Sequence, residues 1–338
     1  MGCTRVYPIL KNMKKLIVGI DVSKDVIDYC ILESSNHQVM DRGIVQNEHL
    51  SLSTWLDSLD LEDTCLSMEH TGHYGALLSW LLSERKAVYY MINALEIKRS
   101  LGIQRGKTDA VDAYRIASYS ITNHFKLSPF ILPCEELLKL KAMMTVRQQR
   151  VKMSVQLQNS IKANLILNRT VDISELIEDE SRQLESIKKS ISFIDRQMLE
   201  IIKSCEPLEQ TYNKITKVIG VGPITAMKCI IETANFTKFD SARKFSCHSG
   251  LAPFPYRSGS SVKGRTRTHY LKNSSLKSIL FKAAASAIQH DPQLKNYYNR
   301  KLKDGKHRLC ALNAVANKVV LRIFAVQKRE EPFVKLAA

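Results

Sequence analysis

The strongest constraint on this chain is the order in which its apolar periods change over residues 15–125. Lys15-Leu-Ile-Val-Gly-Ile-Asp-Val22 is a β-branched run. Val26-Ile-Asp-Tyr-Cys-Ile-Leu32 follows a short polar turn, Ser23-Lys24-Asp25, so the two read as a hairpin. A third strand is expected within His37–Val45. The period then alternates: a helix over about Glu48–Leu59, a strand at Thr64–Met68, a helix over Gly75–Ser83, a strand at Ala87–Ile92, and a helix over Thr108–Ser120. Three strands followed by alternating helix and strand predict an α/β layer structure.

Residues 134–206 change character. Leu184, Ile187, Ile191, Ile194, Met198 and Ile201 step by three and four, a heptad-like seam. Asn168-Arg-Thr-Val-Asp-Ile-Ser174 interrupts the pattern, and Asp172 stands three residues before Glu175, the spacing of a helix-start capping pair. Two long helices, roughly 135–167 and 173–205, are expected to form an antiparallel hairpin. It serves either internal packing or dimerisation. The expected division is 1–126, an α/β domain; 127–206, a coiled-coil linker or dimerisation arm; and 207–338, a mostly helical C-terminal domain.

Four carboxylates fall at informative places in the first domain. Asp21 ends the first strand, Glu69 follows the fourth, and Asp109 and Asp112 lie in Lys107-Thr-Asp-Ala-Val-Asp-Ala113. Asp109 and Asp112 are three apart and share one helical face. The strand order is that of the RNase H-like fold, which brings the ends of strands one and four and the last helix to one edge of the sheet. Clustered like charges raise one another's pKa unless a cation lies between them. Oxygen ligands suit a hard ion, so Mg²⁺ is the expected guest, one or two per site.

The third domain is basic. The chain carries 50 Lys and Arg against 33 Asp and Glu, a net charge of +17, which favours a polyanionic partner. From Ser241 to His290 there is no acid, while Arg243, Lys244, Arg257, Lys263, Arg265, Arg267, Lys272, Lys277 and Lys282 are all cationic. Such a stretch suits phosphate backbones. Ile219-Gly-Val-Gly-Pro223 sits between two apolar helical stretches, a helix-hairpin-helix-like pattern whose Gly220 and Gly222 expose backbone N–H groups to a phosphate. Tight helix packing explains those glycines nearly as well. Ser258 precedes Gly259 in an expected loop, between Arg257 and Lys263-Gly-Arg-Thr-Arg267. A serine hydroxyl can attack phosphorus when nearby cations neutralise the developing charge. Ser260 and Ser261 are close competitors.

These motifs resemble the DEDD insertion-sequence transposases, described as bridge-RNA-guided serine recombinases. Gly19-Ile-Asp-Val-Ser-Lys24 resembles the family's first acidic motif, Glu69 with Thr71-Gly72 and Tyr74 the second, and Lys107-Thr-Asp-Ala-Val-Asp-Ala113 the paired-Asp motif. Ile219-Gly-Val-Gly-Pro223, Gly250-Leu-Ala-Pro253 and Ser258-Gly259 resemble its C-terminal transposase domain. The resemblance implies an RNase H-like (RuvC-like) domain, a coiled coil and a C-terminal domain with a nucleophilic serine. It implies Mg²⁺ on Asp21, Glu69, Asp109 and Asp112, and Ser258 joined to a DNA 5′ end. It further implies target and donor DNA, a structured non-coding guide RNA, a homodimer or homotetramer with active sites shared between subunits, and the cytoplasm of a bacterium or archaeon, close to the nucleoid. Ser260 and Ser261 stand where the family is expected to be richer in glycine.

Two other functions fit the same residues. A RuvC-like junction nuclease would use the metal site with water and form no covalent intermediate. A nucleic-acid-binding scaffold would carry a dead catalytic domain. The eight cysteines form no CxxC pair, several sit inside apolar runs, and they read as a scatter of small hydrophobes rather than a disulfide framework or a zinc site. No apolar run is expected to span a bilayer, and the first residues lack a signal-peptide core.

Overall fold

The computed structural model describes residues 14–70, 72–100, 109–258 and 262–329, and the chain divides into two units, Met1–Leu132 and Pro133–Ala338. In the first, β1 (Leu16–Val22) and β2 (Val26–Glu33) form the expected hairpin, and β3 (Val39–Gln46) extends it antiparallel. Then follow α1 (His49–Asp57), β4 (Thr64–Glu69), α2 (Ala76–Glu84), β5 (Tyr89–Ile92), α3 (Ala94–Ser100) and α4 (Asp109–Asn123). The sheet order is β3-β2-β1-β4-β5, with β4 parallel to β1 and β5 parallel to β4. The succession of strands and helices along the chain is the one read from the sequence, with α3 added. Helix α3 was not anticipated; the Asn93 side chain accepts from the Leu95 N–H to start it, and Ile97 buries.

Strand alternation assigns the two faces of the sheet. Val18, Ile20 and Val22 pack with Leu52, Trp55 and Leu56 of α1 and Leu78, Leu81 and Leu82 of α2. On the other face Ile17, Cys30, Leu32 and Cys65 pack with Ala113, Ile116 and Ala117 of α4. Coverage on both sides explains why β1 and β4 read as near-continuous apolar runs.

The second unit begins with α5 (Glu135–Leu167) and α6 (Ser174–Ser204), within one residue of the expected bounds. After them come α7 (Glu206–Ile215), α8 (Pro223–Thr233), α9 (Ala242–His248), β6 (Phe254–Ser258), β7 (Val262–Arg267), α10 (Ser274–His290), α11 (Pro292–Lys303) and α12 (Arg308–Lys328). The base of the long hairpin shares one core with the helices that follow: Leu137, Leu140, Met144, Ile194, Met198 and Ile202 pack with residues such as Leu208, Phe245, Leu280 and Val319. Farther out, Leu184, Ile187 and Ile191 are only half-buried. The Glu180 carboxylate ties the outer part together, accepting from Ser160 Oγ at 2.6 Å and Asn164 Nδ2 at 3.0 Å.

Two expectations are corrected. Asp172 does not cap through the third position. Its carboxylate accepts from the Ser174 N–H and hydroxyl at 3.1 and 2.7 Å, because Ile173 occupies the N-cap position. In addition, α12 is long and apolar enough to cross a membrane by length and composition, with a mean hydropathy of 1.7. Its Val315, Ala316, Val319, Val320 and Ile323 are fully buried in the core, which accounts for that composition. Cys30, Cys65 and Cys229 are buried small hydrophobes, and burial pushes the Cys65 and Cys229 thiols up to about 12.

One ionic cluster lies inside this unit. Lys228, its side chain 9% exposed, contacts Glu232 at 2.8 Å, and His248 Nε2 lies 3.2 Å from the other Glu232 oxygen. Burial alone would raise the Glu232 carboxyl, but the hydrogen bonds and charges of His248 and Lys228 hold it at about 2. A lowered carboxylate stabilises the fold above its unfolded value and loses that contribution as pH falls through its folded one. Glu232→Gln is therefore expected to cost about 3 kcal/mol at pH 7, leaving Lys228 buried beside a neutral amide. In urea melts the gap to the unaltered protein should close as pH falls from 4.5 towards about 2.

Candidate active site

Register places the carboxylates. Ile20 lies beside Met68 in the parallel β1–β4 pair, so Asp21 and Glu69 follow together at the carboxyl ends of their strands. Asp21 shares its face with Ile17 and Gly19, and Glu69 shares its face with Cys65 and Ser67. That face is the one covered by α4. The helix lies directly on Gly19. A Cβ there would stand 2.1 Å from the Ala113 carbonyl oxygen and 2.4 Å from the Ala117 nitrogen. The bare strand surface at Gly19 thus seats the first turns of α4, which carry Asp109 and Asp112, at the end of the sheet where Asp21 and Glu69 sit.

Asp21, Glu69 and Asp112 are all half-buried. Asp112 accepts from Arg115 Nη1 at 2.8 Å, one helical turn on. The side chain of Asp109, and Lys107 altogether, lie outside the described residues. Among the described residues no three His, Cys, Asp or Glu side chains are close enough to hold one ion. The donors are all oxygen, the kind a hard divalent cation takes, and Arg115 engages one oxygen of Asp112.

Sequence reasoning missed Asp28. It pairs in register with Asp21 across β1 and β2 and is only 8% exposed. Carboxylates directly opposite on one face repel unless a proton or a cation compensates. The signal was present, since Asp28 stands in phase with Cys30 and Leu32, at an inward position of its strand.

In the second unit Ser258 was expected in a loop. It is instead the last residue of β6, paired with Val262 of β7 in a two-stranded hairpin. Arg257 pairs in register with Lys263, which sets two cationic residues opposite each other. Side-chain placement of Arg257, Ser258, Lys263 and Arg265, and the positions of Ser260 and Ser261, lie outside the described residues. Arg267 is exposed, and Lys272 is half-buried. The hairpin is anchored at its base. The Asn273 N–H donates to the His248 carbonyl at 2.9 Å, and Asn313 Nδ2 donates to the Leu251 carbonyl at 2.8 Å. Gly250 takes φ +69°, where the Lys272 side chain fills the space of a Cβ.

The Gly-Val-Gly turn does join two helices. Gly220, at φ +89°, packs against the Ala283 carbonyl and Ala287 of α10, so its need for glycine is met by packing. Gly222 precedes the first turn of α8 and has open space where a Cβ would stand.

The model of the DEDD transposases of the IS110 type matches residues 18–169, and a second, described as the transposase IS116/IS110/IS902 family, matches residues 212–299. The chain belongs to this transposase family. It is 25% identical to the pilin gene-inverting protein of Moraxella bovis over 334 residues, covering 96% of this chain and 99% of that one. It is 30% identical over 112 residues to the insertion element IS110 43.6 kDa protein of Streptomyces coelicolor, covering 33% of this chain and 27% of that one. Among solved structures, the Thermus thermophilus RuvC complex with a Holliday junction substrate aligns over 34% of this chain and 99% of that one, at 10% identity and a TM-score of 0.28.

The seat at Gly19 is open to test. Gly19→Ala is expected to lift α4 off β1 and cost about 3 kcal/mol, at the upper end for overpacking a core. Urea midpoints and hydrogen exchange of the α4 amides measure both effects.

Proposed function

We propose that this transposase cuts and rejoins DNA through a 5′-phosphoserine intermediate on Ser258, with Asp21, Glu69, Asp109 and Asp112 as the partner half of the site. The observation that carries this reading is the close seat of α4 on Gly19 of β1, two residues before Asp21, with β1 and β4 ending side by side. Those four carboxylates would hold Mg²⁺, which when bound clamps the scissile phosphate oxygens and neutralises charge on the departing 3′ oxygen. Arg115 orients the Asp112 carboxylate through a 2.8 Å contact.

On the other half, the anchored β6–β7 hairpin presents Ser258 between cationic residues. Its oxygen bonds to phosphorus while the P–O3′ bond breaks, and the hydroxyl proton passes through solvent to the departing 3′ oxygen, leaving a 3′-OH, so one phosphodiester is exchanged for another. The bond energy is conserved for rejoining. Arg257, Lys263, Arg265, Arg267 and Lys272 supply positive charge for the phosphate backbone, as does Lys107, two residues before Asp109 in the sequence, and Gly222 offers an uncapped helix start. A relative matching nearly the whole chain is named as a gene-inverting protein, and inversion needs rejoined strands, which favours recombination over hydrolysis.

The wider proposal follows the family resemblance. A structured RNA encoded by the element chooses target and donor DNA, and subunits of a homodimer or homotetramer, joined through the α5–α6 arm as a module between the 1–126 and 207–338 domains, share active sites. The work takes place in the cytoplasm at the nucleoid.

Ser258→Ala is expected to abolish the covalent protein–DNA adduct seen on denaturing gels with Mg²⁺, and Asp21→Asn to do the same. An adduct that persists in Ser258→Ala but vanishes in Ser260→Ala moves the nucleophile by two residues. Cleavage with no adduct in the unaltered protein leaves a hydrolytic nuclease.

A further inference from the structure

The basic window read from the sequence stops at His290, but a clustering of three cations around one ring lies beyond it. Tyr297 of α11 is half-buried, its ring packed against the core. Three cations converge on that ring. The Arg300 guanidinium lies 5.3 Å from its centroid, Lys301 Nζ 5.7 Å, and Lys318 Nζ, from α12, 5.6 Å. Among the described residues one carboxylate, Asp304, makes an ion pair with this group, through Lys301 at 3.3 Å. Asp291, the N-cap of α11, pairs with Arg322. The positive charge runs on through Lys303, Lys306 and Arg308, all exposed.

Three like charges about one ring repel, and a single exposed carboxylate offsets little of that. Each gains a little from the ring face, and the ring cannot cancel their mutual repulsion. An anion laid on this surface would relieve that repulsion.

We propose that Arg300, Lys301 and Lys318, ordered on Tyr297, form a phosphate-backbone contact for duplex DNA, separate from the β6–β7 hairpin. The ring decides between forms of nucleic acid. Unstacked bases bind open aromatic faces, and this ring already carries cations, so the surface is suited to the outside of a duplex rather than to splayed bases. It adds affinity without reading sequence.

The test is fluorescence anisotropy of the full chain with a DNA duplex of arbitrary sequence, about 30 base pairs long, from about 50 to about 200 mM KCl. A single-stranded RNA of equal length serves as the second arm. The triple variant Arg300→Gln/Lys301→Gln/Lys318→Gln should weaken duplex binding about 10- to 100-fold at the low-salt end and reduce the slope of log K against log salt by about two to three. A control triple that removes Lys86, Lys126 and Lys203 in the same way should leave the slope within about one of the unaltered protein. Should thermal melting show the first triple unfolded, Lys318→Gln alone should reduce the slope by about one. An unchanged DNA slope, whatever happens to RNA, overturns the proposal. So does an equal loss in the control triple. Cleavage is not read, so the result is independent of whether Ser258 is the nucleophile.

Discussion

The first unit depends on two backbones lying closer than any side chain allows. At Gly19 the main chain of α4 rests on β1, with the Ala113 carbonyl where a Cβ would be. Interiors are packed too densely for such a contact to slide. It therefore sets both the height of α4 above the sheet and its position along the strand. Ala113 and Ala117 are small for the same reason, and both are fully buried. The position of Asp112 relative to Asp21 and Glu69 follows from that seat and from the β1–β4 register. The acidic end of the sheet thus rests on a glycine and two alanines that carry no charge themselves.

The second unit meets the opposite electrostatic problem. Its surface is crowded with cations, while its interior holds a carboxylate, Glu232, shared by Lys228 and His248. The backbone of His248 also accepts from Asn273, which caps α10 by accepting from the Leu276 N–H. The loop leading into β6 is held by Asn313 of α12. The hairpin with Ser258 is thus fastened at its base by hydrogen bonds from two helices, while its strands carry positive charge. Rigid support beneath a charged segment limits the reorganisation needed when a phosphate arrives.

Much of this was legible from residue order. The first-unit sheet was readable because strands covered on both faces leave long apolar runs, and the α5–α6 hairpin because its seam repeats over many turns. Helix α3 was missed because Ala94–Ser100 is too short to show a period. The β6–β7 hairpin was missed because its strands are rich in Arg, Lys, Ser and Gly and show no alternation of apolar residues. The capping role assigned to Asp172 failed because spacing cannot tell which of two neighbouring N–H groups a short carboxylate reaches first.

By itself the sequence determined the layered α/β fold of the first unit, the helical hairpin, the basic character of the C-terminal half and the four acids of a DEDD pattern. All of these are properties of periodicity, composition and motif, which are local along the chain. The tertiary structure alone decided that Asp28 joins Asp21 in register, that Asp112 rests on Arg115, that Gly220 serves packing against α10, and that cations from α11 and α12 meet over Tyr297. Each of these joins residues through the packing of elements or the direction of a side chain, and neither is written in the spacing of residues along a chain.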